Sequence, residues 1–501
     1  TQVRCKGCDH ACRVTRFEFP NQRVFFSGNK CENIFSSRAA GPNGESSING
    51  FDFPGFKSTL LFDREPAPHN DPVLTIGIPR CLGIYENYPF WHALFTGCRI
   101  NIRLSPPSTM GLSDQGMGSI MSDNICFPAK LVHGHVMDLT AGRKLRTGYR
   151  TGHSTPDRIF IPMVVYESKT FEQAQNSYNC PIVTAYAEVI SSSIQPAERF
   201  NIPLDRPVIS FHDQDLLVKA CVSYLRTLGI PKKTIRSAVH QGLAAQDRFR
   251  KEIKAKGEAV INSAARDNRL LFVLGGRPYH VDPLINHKIP QMISRFGVDT
   301  ITEDAVPDPG TDPLEDTRVI TQWAYPNRIY HAARWVAGQG DRVQLVQLNS
   351  FGCGPDAVVI DEARQILAAG GKPHTLIKID DISSTGSVKL RLRSLIQSLK
   401  RRASRTLENR PGNVTCRKNT PVFRVKDRKR VILAPFFSED YSGYLPPMLG
   451  AIGYRFRILP RPDRQSVELG LKYASHDICY PGILVIGDVV KALSSGQYDP
   501  D

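Results

Sequence analysis

The stretch VLTIGIPRCLGIYENYPFWHALFTGCRINIRLSP, residues Val73–Pro106, contains a plan that recurs twice in this chain. Residues 270–305 read LLFVLGGRPYHVDPLINHKIPQMISRFGVDTITEDA, and residues 430–462 read RVILAPFFSEDYSGYLPPMLGAIGYRFRILPRP. Each copy opens with a short apolar run, passes through a loop rich in Gly, Pro and Tyr, and continues with apolar residues at helical spacing and a second apolar run. A strand, a crossover helix and a parallel strand produce this pattern. The sequence therefore predicts an α/β fold with three strand-helix-strand modules.

Glycines mark where the helices of these modules end. Gly297 and Gly453 follow the helix-period residues of the second and third copies, and Gly97 stands at the corresponding point of the first. Gly adopts the left-handed conformation that closes many helices at little cost. Residues 158–164 (RIFIPMV) predict a further strand, and the spacing of apolar residues over 213–267 predicts helices.

These features predict six regions. They are a Cys-rich knuckle (1–60), a first α/β module (65–200), a helical connector (201–265), a second α/β module (266–400), a basic linker (401–429) and a third α/β module (430–501).

Composition narrows the class of protein. Of the 501 residues 41% are hydrophobic and 22% are charged, which is ordinary for globular domains and excludes collagen, low-complexity disorder and coiled coils. No apolar run approaches the roughly 18 residues of a membrane helix, and the first residues lack a signal-peptide core. We therefore expect a soluble, cytoplasmic protein with no membrane partner. Because the chain begins at Thr1 and its third module is short, we also expect a longer natural polypeptide.

The net charge of +16 is concentrated in one segment. Residues 400–430 contain twelve Lys or Arg and two acidic residues, and so carry ten of these sixteen charges. A solvated basic linker explains such a run better than a patch that docks an acidic partner. Because the rest of the charge is spread thinly, nucleic-acid binding is the least favoured interpretation.

The first 31 residues contain the most explicit motif, C-x2-C-x3-C-x18-C. Its members are Cys5, Cys8, Cys12 and Cys31. Four thiolates hold Zn²⁺ tetrahedrally or a [4Fe-4S] cluster, and the spacing does not choose between them. A segment with so little apolar periodicity cannot form a stable core of its own and needs a bound metal to hold its fold. We therefore predict a metal site here.

Four more cysteines stand in loops after the strand runs. Cys126 in SDNICFPAKLVHGHV and Cys479 in SHDICYPGILVIGDVV share a setting in which Pro follows closely and a helix-period stretch begins. Pro suits the first turn of a helix, where the dipole stabilises a thiolate. Cys180 in NSYNCPIVT and Cys353 in NSFGCGPDA occupy similar turns. Because ligands gather beyond the carboxyl ends of parallel strands, we predict that three of these sulfurs meet at one cluster or metal.

Other interpretations of these residues stay open. Each cysteine taken singly is also typical of a buried core residue. A nucleophilic Cys126 would need a histidine base, and His133 and His135 are predicted to lie in the core or on a helix surface instead. Lys130, one helical turn after Cys126, is either a solvated lysine or a ligand for an anion or a hydrogen-bonded sulfide.

Two more sets of residues are better explained by structural roles than by ligand binding. The run Gly275–His280 could bind an anion, but a tight turn is the better explanation. The polar-aromatic groups at 85–88 and 323–328 are typical of aromatic packing. The chain contains no G-x-G-x-x-G, G-x-x-x-x-G-K-[ST] or H-E-x-x-H motif, so nucleotide binding has weak support.

Several long blocks together resemble one known family. They are Ile78–Phe95, Ser122–His135, Gly275–Pro290, Val346–Ala357, Lys378–Leu395 and His476–Asp488, joined by CKGCDHAC at Cys5–Cys12 and SGNKCE at Ser27–Glu32. With these blocks the chain resembles the C-terminal region of the large activase-related proteins of the 2-hydroxyacyl-CoA dehydratase system. The resemblance spans nearly the whole chain.

The resemblance implies a fold and a cofactor. In the wider family the dehydratase subunits are flavodoxin-like α/β domains whose loop cysteines hold a [4Fe-4S] cluster, and related double-cubane reductases hold a larger one. Cys126, Cys180 and Cys353 resemble those ligands, and Cys479 is similar to a second copy of the first. An ATP-hydrolysing activase supplies one low-potential electron. This chain lacks the actin-like ATPase motif, so the activase domain is expected upstream in the same polypeptide or in a partner.

Two functions of different classes follow. In the first, the chain is an iron-sulfur component that accepts this electron at a [4Fe-4S] or larger cluster and reduces an acyl-CoA or a small unsaturated molecule. In the second, it is a non-catalytic scaffold, stapled by Zn²⁺ or a second [4Fe-4S] cluster at the N-terminal cysteines, that docks an activase domain. A dimer is a further expectation from the family.

Overall fold

The computed structural model describes residues 2–4, 13–19, 24–27, 49–64, 69, 71–140, 155–308, 314, 317–381, 385–404, 423–474 and 478–498. The chain forms two compact units. The larger contains residues 1–351 and 362–415, and the smaller contains residues 352–361 and 416–501. None of the helices in these described ranges has the length and apolar character needed to cross a bilayer.

The N-terminal region contains a small antiparallel sheet. Its three strands are β1 (Gln2–Arg4), β2 (Arg13–Glu18) and β3 (Val24–Ser27). β2 pairs with both neighbours. The four cysteines of the predicted knuckle, Cys5, Cys8, Cys12 and Cys31, lie outside the described residues, so the metal site there stays a prediction.

The first half of the larger unit contains α1 (Phe53–Phe62), β4 (Thr75–Ile78), α2 (Ile84–Gly97), β5 (Asn101–Leu104), α3 (Met110–Gly116), α4 (Phe127–Thr140), β6 (Arg158–Phe160), β7 (Met163–Tyr166), α5 (Pro181–Ser193), α6 (Pro196–Phe200), β8 (Leu204–Asp205) and β9 (Val208–Ser210). Four of these strands form the first parallel sheet, in the order β5-β4-β6-β8, and β7 pairs with β9 in a separate two-stranded parallel sheet. The strand predicted at 158–164 is present as β6 and β7, with a break at Pro162. Pro lacks the N–H that a central strand donates, which accounts for the interruption.

Two helices follow, α7 (Gln214–Arg226) and α8 (Lys232–Arg266), as the periodicity over 213–267 predicts. The region predicted as a helical connector begins differently, because residues 204–205 are a strand of the first sheet and residues 208–210 pair with β7 in the two-stranded sheet. Runs of two and three residues around a proline carry too little pattern to be recognised as strands. α8 packs along α2, and Gly97 lies in that contact, where an added Cβ would stand 3.0 Å from the Cβ of Ala238.

The second half of the larger unit contains β10 (Leu271–Gly275), α9 (Ile289–Arg295), β11 (Asp299–Thr302), α10 (Ala324–Ala337), β12 (Val343–Ser350), the later part of α11 (Gly354–Ala369), β13 (Thr375–Ile379) and α12 (Thr385–Ser404). Residues 354–361 of α11 belong to the smaller unit. The strands form a second parallel sheet in the order β11-β10-β12-β13. Every residue of β10 is buried, as expected for a strand covered on both faces. In both sheets the first strand along the chain lies between the second and the third.

The smaller unit contains the third copy of the plan. Its elements are β14 (Val431–Ala434), α13 (Glu439–Ser442), α14 (Leu445–Ala451), β15 (Arg455–Ile458), α15 (Arg464–Tyr473) and α16 (Tyr480–Ser494). β14 and β15 are parallel, so parallel pairing is present in each of the three repeated stretches. Gly297 (φ 73°) and Gly453 (φ 87°) are left-handed as predicted. In the first copy the left-handed residue is Arg99 (φ 57°), while Gly97 ends the helix itself.

Candidate functional site

The loops at the carboxyl ends of both sheets in the larger unit carry polar side chains that contact one another. The phenol of Tyr85, in the first turn of α2, donates to Asp282 Oδ2 in the loop after β10 at 2.5 Å. Lys130 Nζ, in the first turn of α4, pairs with Asp381 Oδ2 just after β13 at 3.1 Å. The strand ends of the two sheets therefore meet at one interface, the place where α/β proteins bind ligands.

Six charged side chains at this interface are buried or nearly so, and we call them the buried charge cluster. Arg328 on α10 donates to both carboxylate oxygens of Glu86, at 2.6 and 3.0 Å. Lys57 on α1 donates to Asp304 Oδ2 at 2.6 Å. The members are Lys57, Glu86, Glu167, Glu303, Asp304 and Arg328.

The surroundings lower the pKa of two of the four carboxyl groups in the cluster and raise the pKa of the other two. Burial alone would raise the pKa of Glu86, but Arg328 and Lys57 outweigh it and hold that pKa below its usual value. The pKa of Asp304 is lowered to about 2, because Lys57 and Arg328 likewise outweigh its burial. Burial and the neighbouring Asp304 raise the pKa of Glu303 to about 7. Burial and Glu86 raise the pKa of Glu167. Carboxyl groups whose pKa values are pushed apart in this way can take different acid and base roles.

Glu167 is the most extensively hydrogen-bonded carboxylate of the cluster. It directly follows β7, and the amide of Asn87 donates to both of its oxygens, at 3.0 and 3.1 Å. Its Oε1 also accepts from Asn179 Nδ2 at 2.8 Å and from Tyr325 Oη at 2.9 Å. The groups predicted at 85–88 and 323–328 as aromatic packing therefore supply this polar network as well.

A second buried network begins at Asp282. Ser108 Oγ donates to Asp282 Oδ2 at 2.5 Å and lies 3.0 Å from His135 Nε2. His135 Nδ1 lies 2.8 Å from Ser105 Oγ. Burial and the nearby Arg80 lower the pKa of His135 to about 3, so the ring is neutral at physiological pH. His133 is also buried, with Nε2 2.9 Å from Tyr186 Oη, which confirms the core alternative for both histidines.

All four loop cysteines occupy the residue directly before a helix. Cys126 precedes α4, Cys180 precedes α5, Cys353 precedes α11 and Cys479 precedes α16. The carbonyl oxygens of Cys180 and Cys479 accept the first hydrogen bonds of their helices, from backbone N–H groups at 3.0 and 3.1 Å. The position predicted for Cys126 and Cys479 is confirmed, and the other two share it.

The thiols are partly accessible, in contrast to the core cysteines. Cys126, Cys180 and Cys353 are half-buried and Cys479 is exposed. Burial raises the pKa of Cys98 to about 11 and, together with Cys98, that of Cys221 to about 12, as expected for thiols of the apolar core. The described residues contain no group of three or more His, Cys, Asp or Glu side chains that could hold one metal ion. The convergence of three thiols on one cluster therefore stays a prediction.

Lys130 is held in place beside Cys126. Its side chain is 14% exposed and forms the ion pair with Asp381, so the solvated alternative is wrong. The neighbouring ring of Phe127 is stacked on His287, whose Nε2 lies 2.6 Å from the carbonyl oxygen of Asp380. The start of α4 thus packs on the loop that follows β13.

The glycine-rich segment after β10 forms a tight turn. Residues 278–281 are one short 3-10 turn, and the backbone N–H of Arg277 donates to His280 Nδ1 at 3.0 Å. A Cβ on Gly276 would lie 2.5 Å from that same Nδ1, so only glycine fits. The structural interpretation of this segment is confirmed.

The carboxylates of the buried charge cluster were not singled out by sequence reasoning, apart from Glu86. Glu167, Glu303 and Asp304 each follow a strand within one or two residues. An acidic residue directly after a buried parallel strand is the signal that could have identified them.

Comparison with known proteins identifies a family for part of the chain. Residues 75–306, which include Cys126, Cys180, Lys130 and most of the buried charge cluster, match the family model described as CoA enzyme activase uncharacterised domain. Residues 75–306 therefore match the activase-related family that the sequence resembles. The resemblance is confirmed over these residues. The matched residues contain the first sheet, helices α7 and α8, and the first two strands of the second sheet.

Other comparisons add little to the activase-related assignment. A search of curated proteins found no similar sequence. Among solved structures, glucosamine-6-phosphate deaminase from Thermotoga maritima is similar at 10% identity, covering 72% of this chain and 95% of its own, with a TM-score of 0.17. So low a score supports no inference about fold or activity.

Proposed function

We propose that this chain is the iron-sulfur, electron-accepting component of an ATP-driven reductase or dehydratase system. An activase domain, upstream in the same polypeptide or separate, would deliver one low-potential electron to it. The observation that carries the proposal is that Cys126, Cys180, Cys353 and Cys479 all stand directly before helices. The family match at residues 75–306 supports the link to activase chemistry.

The donor chemistry of these residues fits an iron-sulfur cluster. A thiolate at a helix N-terminus is stabilised by the helix dipole, and iron-sulfur clusters are held by Cys thiolates. Cys126 and Cys353, with either Cys180 or Cys479, would hold a [4Fe-4S] or larger cluster. When bound, the cluster would store the single electron and pass it to a substrate. Cys5, Cys8, Cys12 and Cys31 would hold Zn²⁺ or a second [4Fe-4S] cluster.

The protein's own residues would prepare the surroundings of such a site. The ion pair of Lys130 with Asp381 holds a cation one turn beyond Cys126. Because Asp381 balances this charge, Lys130 would supply hydrogen-bond donors rather than a net positive charge. The stacked rings of Phe127 and His287 would restrict the access of water to the same end of α4.

The fold supports a finer assignment. We assign the two four-stranded sheets to the flavodoxin-like class, because their first strand lies between the second and third. The third strand-helix-strand unit would be a further, smaller module of the same kind. Ligand sites in this class lie beyond the carboxyl strand ends, as do Tyr85, Asp282 and the buried charge cluster.

The substrate would be a 2-hydroxyacyl-CoA or another small molecule that needs a low-potential electron. A dimer would be consistent with the family, and the location would be the cytoplasm. Neither nucleic acid nor a membrane is part of this proposal.

Metal analysis of the chain tests the proposal. The protein is purified without oxygen and incubated with iron and sulfide, and then iron, sulfide and zinc are counted per chain. We expect about four iron atoms or more per chain. Cys126→Ser/Cys353→Ser should lose that iron, whereas Cys5→Ser/Cys8→Ser should keep it at least in part.

A matched control uses two cysteines of the core. Cys98→Ala/Cys221→Ala removes two thiols that lie in the apolar core of the first sheet, and it should retain iron. Zinc alone, lost with Cys5 and Cys8 and unaffected by Cys126 and Cys353, would refute the redox function. That result would instead support a metal-stapled scaffold that docks an activase domain.

A further inference from the structure

A cavity of about 150 Å³ opens beside the buried charge cluster. The loop after β7, helix α8, the loop after β11 and helix α10 form its walls. None of the four loop cysteines lines it. The residues on which the argument rests are Lys169, Phe171, Phe249, Arg250, Glu303 and Arg328.

Glu303 lines this cavity and has an unsatisfied carboxyl group. The residue is 4% exposed, and its Oε1 has no hydrogen-bond partner among the described residues. A buried oxygen without a partner is destabilising, and native proteins rarely leave one unless water or a ligand completes it. With its pKa raised to about 7 by burial and Asp304, this carboxyl can accept a hydrogen bond from a ligand or donate one.

The cations of the cavity differ in how they are paired. Arg328 is held by both oxygens of Glu86. Lys254 donates to the carbonyl oxygen of Val306 at 2.6 Å and to Asp308 at 2.5 Å. Lys169 also lines the cavity, but it is exposed to solvent. Arg250 is half-buried and forms no ion pair within 4 Å with any described residue, although its charge reaches Glu86. Arg250 is therefore available to an anionic group that enters the cavity.

Much of the remaining wall is apolar, although Ser168, Lys169 and Thr170 also line the cavity. Phe171 and Phe249 are buried in it, at 6% and 3% exposure. His331 is also neutral, because burial and the nearby Lys254 lower its pKa to about 4. An inorganic anion alone would leave these apolar surfaces and Glu303 without contacts, whereas a short carbon chain would cover them.

We propose that this cavity binds a small organic carboxylate that carries a hydroxyl group at its far end. The carboxylate pairs with the guanidinium of Arg250, which suits two parallel hydrogen bonds. The hydroxyl reaches the carboxyl group of Glu303, and the carbon chain packs on Phe171 and Phe249. This site does not depend on the proposed iron-sulfur function.

Titration calorimetry on the full chain tests the proposal. The probes are 3-hydroxypropanoate, 4-hydroxybutanoate and 5-hydroxypentanoate, each compared with the parent acid that lacks the hydroxyl. We expect at least one hydroxy acid to bind about tenfold more tightly than its parent, the effect of one hydrogen bond to a group that can be charged. This comparison needs the wild-type chain alone.

Variants then assign the two contacts. Arg250→Gln should weaken both members of the preferred pair about tenfold or more, whereas Arg236→Gln, an exposed arginine on the same helix, should not. Glu303→Leu should abolish the preference for the hydroxy acid, and Glu303→Gln, which keeps a hydrogen-bonding group, should retain most of it. The exposed Glu258→Gln is the matched control.

Two outcomes would overturn the proposal. One is the absence of any preference for a hydroxy acid in the wild-type chain. The other is unchanged binding in Arg250→Gln when its thermal unfolding shows that it is folded. Either result leaves the iron content per chain unaffected, so failure here is distinguishable from failure of the redox function.

Discussion

The pair formed by Glu86 and Arg328 shows how one contact depends on the whole larger unit. The two side chains are 4% and 7% exposed, and they come from α2 and α10, 242 residues apart. A buried ion pair is often no more stable than apolar residues of the same shape, but breaking it leaves a buried charge without a partner. The pair therefore makes the two halves of the unit dependent on each other.

Removing one partner should be far more harmful than removing both. We expect Glu86→Gln to lower the free energy of unfolding by about 3–5 kcal/mol, and Glu86→Leu/Arg328→Met to lower it by less. Urea unfolding followed by tryptophan fluorescence measures this, since Trp91, Trp323 and Trp335 all belong to the larger unit.

The exposed pair of Glu188 with Arg206 is the matched control for that experiment. Its side chains are 52% and 39% exposed. Solvent screens such pairs, so Glu188→Gln should cost no more than about 1 kcal/mol. Equal losses at Glu86 and Glu188 would contradict the role given to the buried pair.

Helices α3 and α4 are joined by a close backbone approach. A Cβ on Gly134 of α4 would lie 2.3 Å from the carbonyl oxygen of Leu112 in α3, and one on Gly116 would lie 2.3 Å from Gly134 N. No side chain fits at such distances, so these glycines set the spacing of the two helices. α4 is the helix that begins after Cys126 and carries Lys130, His133 and His135.

Substitution of Gly134 should therefore disturb this helix pair. We expect Gly134→Ala to lower the free energy of unfolding by about 1–3 kcal/mol, because the helices must separate to admit the methyl group. A Cβ on Gly111, also in α3, would meet no atom within 4 Å, so Gly111→Ala should be neutral or slightly stabilising. Urea unfolding of both variants makes the comparison, and equal effects would show that the contact is unimportant.

The sequence predicted some of the strands and missed others. The strands at 75–78, 271–275 and 431–434 were recognisable because each is a compact apolar run before a helical period. β8 and β9 were missed, since they have two and three residues and are separated by Arg206 and Pro207. These two strands form because β6 and β7 pair with them, and their own sequences carry no recognisable strand pattern.

Across the larger unit, several buried or half-buried histidines are held neutral. Burial lowers the pKa of His133 and His374 to about 4 and, with Arg277 nearby, that of His280 to about 3. The usual value is 6.5. Because the unfolded chain binds these protons at a higher pH than the folded one does, their contribution to stability is complete above pH 6.5. It is lost as the pH falls toward about 3.

Acidification should therefore weaken the larger unit before most carboxylates titrate. We expect its free energy of unfolding to fall between pH 6.5 and about 4, with each such histidine adding a slope of at most about 1.4 kcal/mol per pH unit. His374→Gln should reduce that slope, whereas His240→Gln, at an exposed position, should not change it. Urea unfolding at a series of pH values measures this, and an unchanged slope in His374→Gln would contradict it.

Features that depend on local pattern were predictable from the sequence alone. Apolar runs and helical spacing predicted the strand-helix-strand units, and Pro shortly after a cysteine marked the helix starts at Cys126 and Cys479. Which polar residues share a buried site became evident only from the three-dimensional fold. Glu167 and Tyr325 are 158 residues apart, and Lys57 and Asp304 are 247 apart. Burial and pairing depend on packing between distant segments, so no local pattern records them.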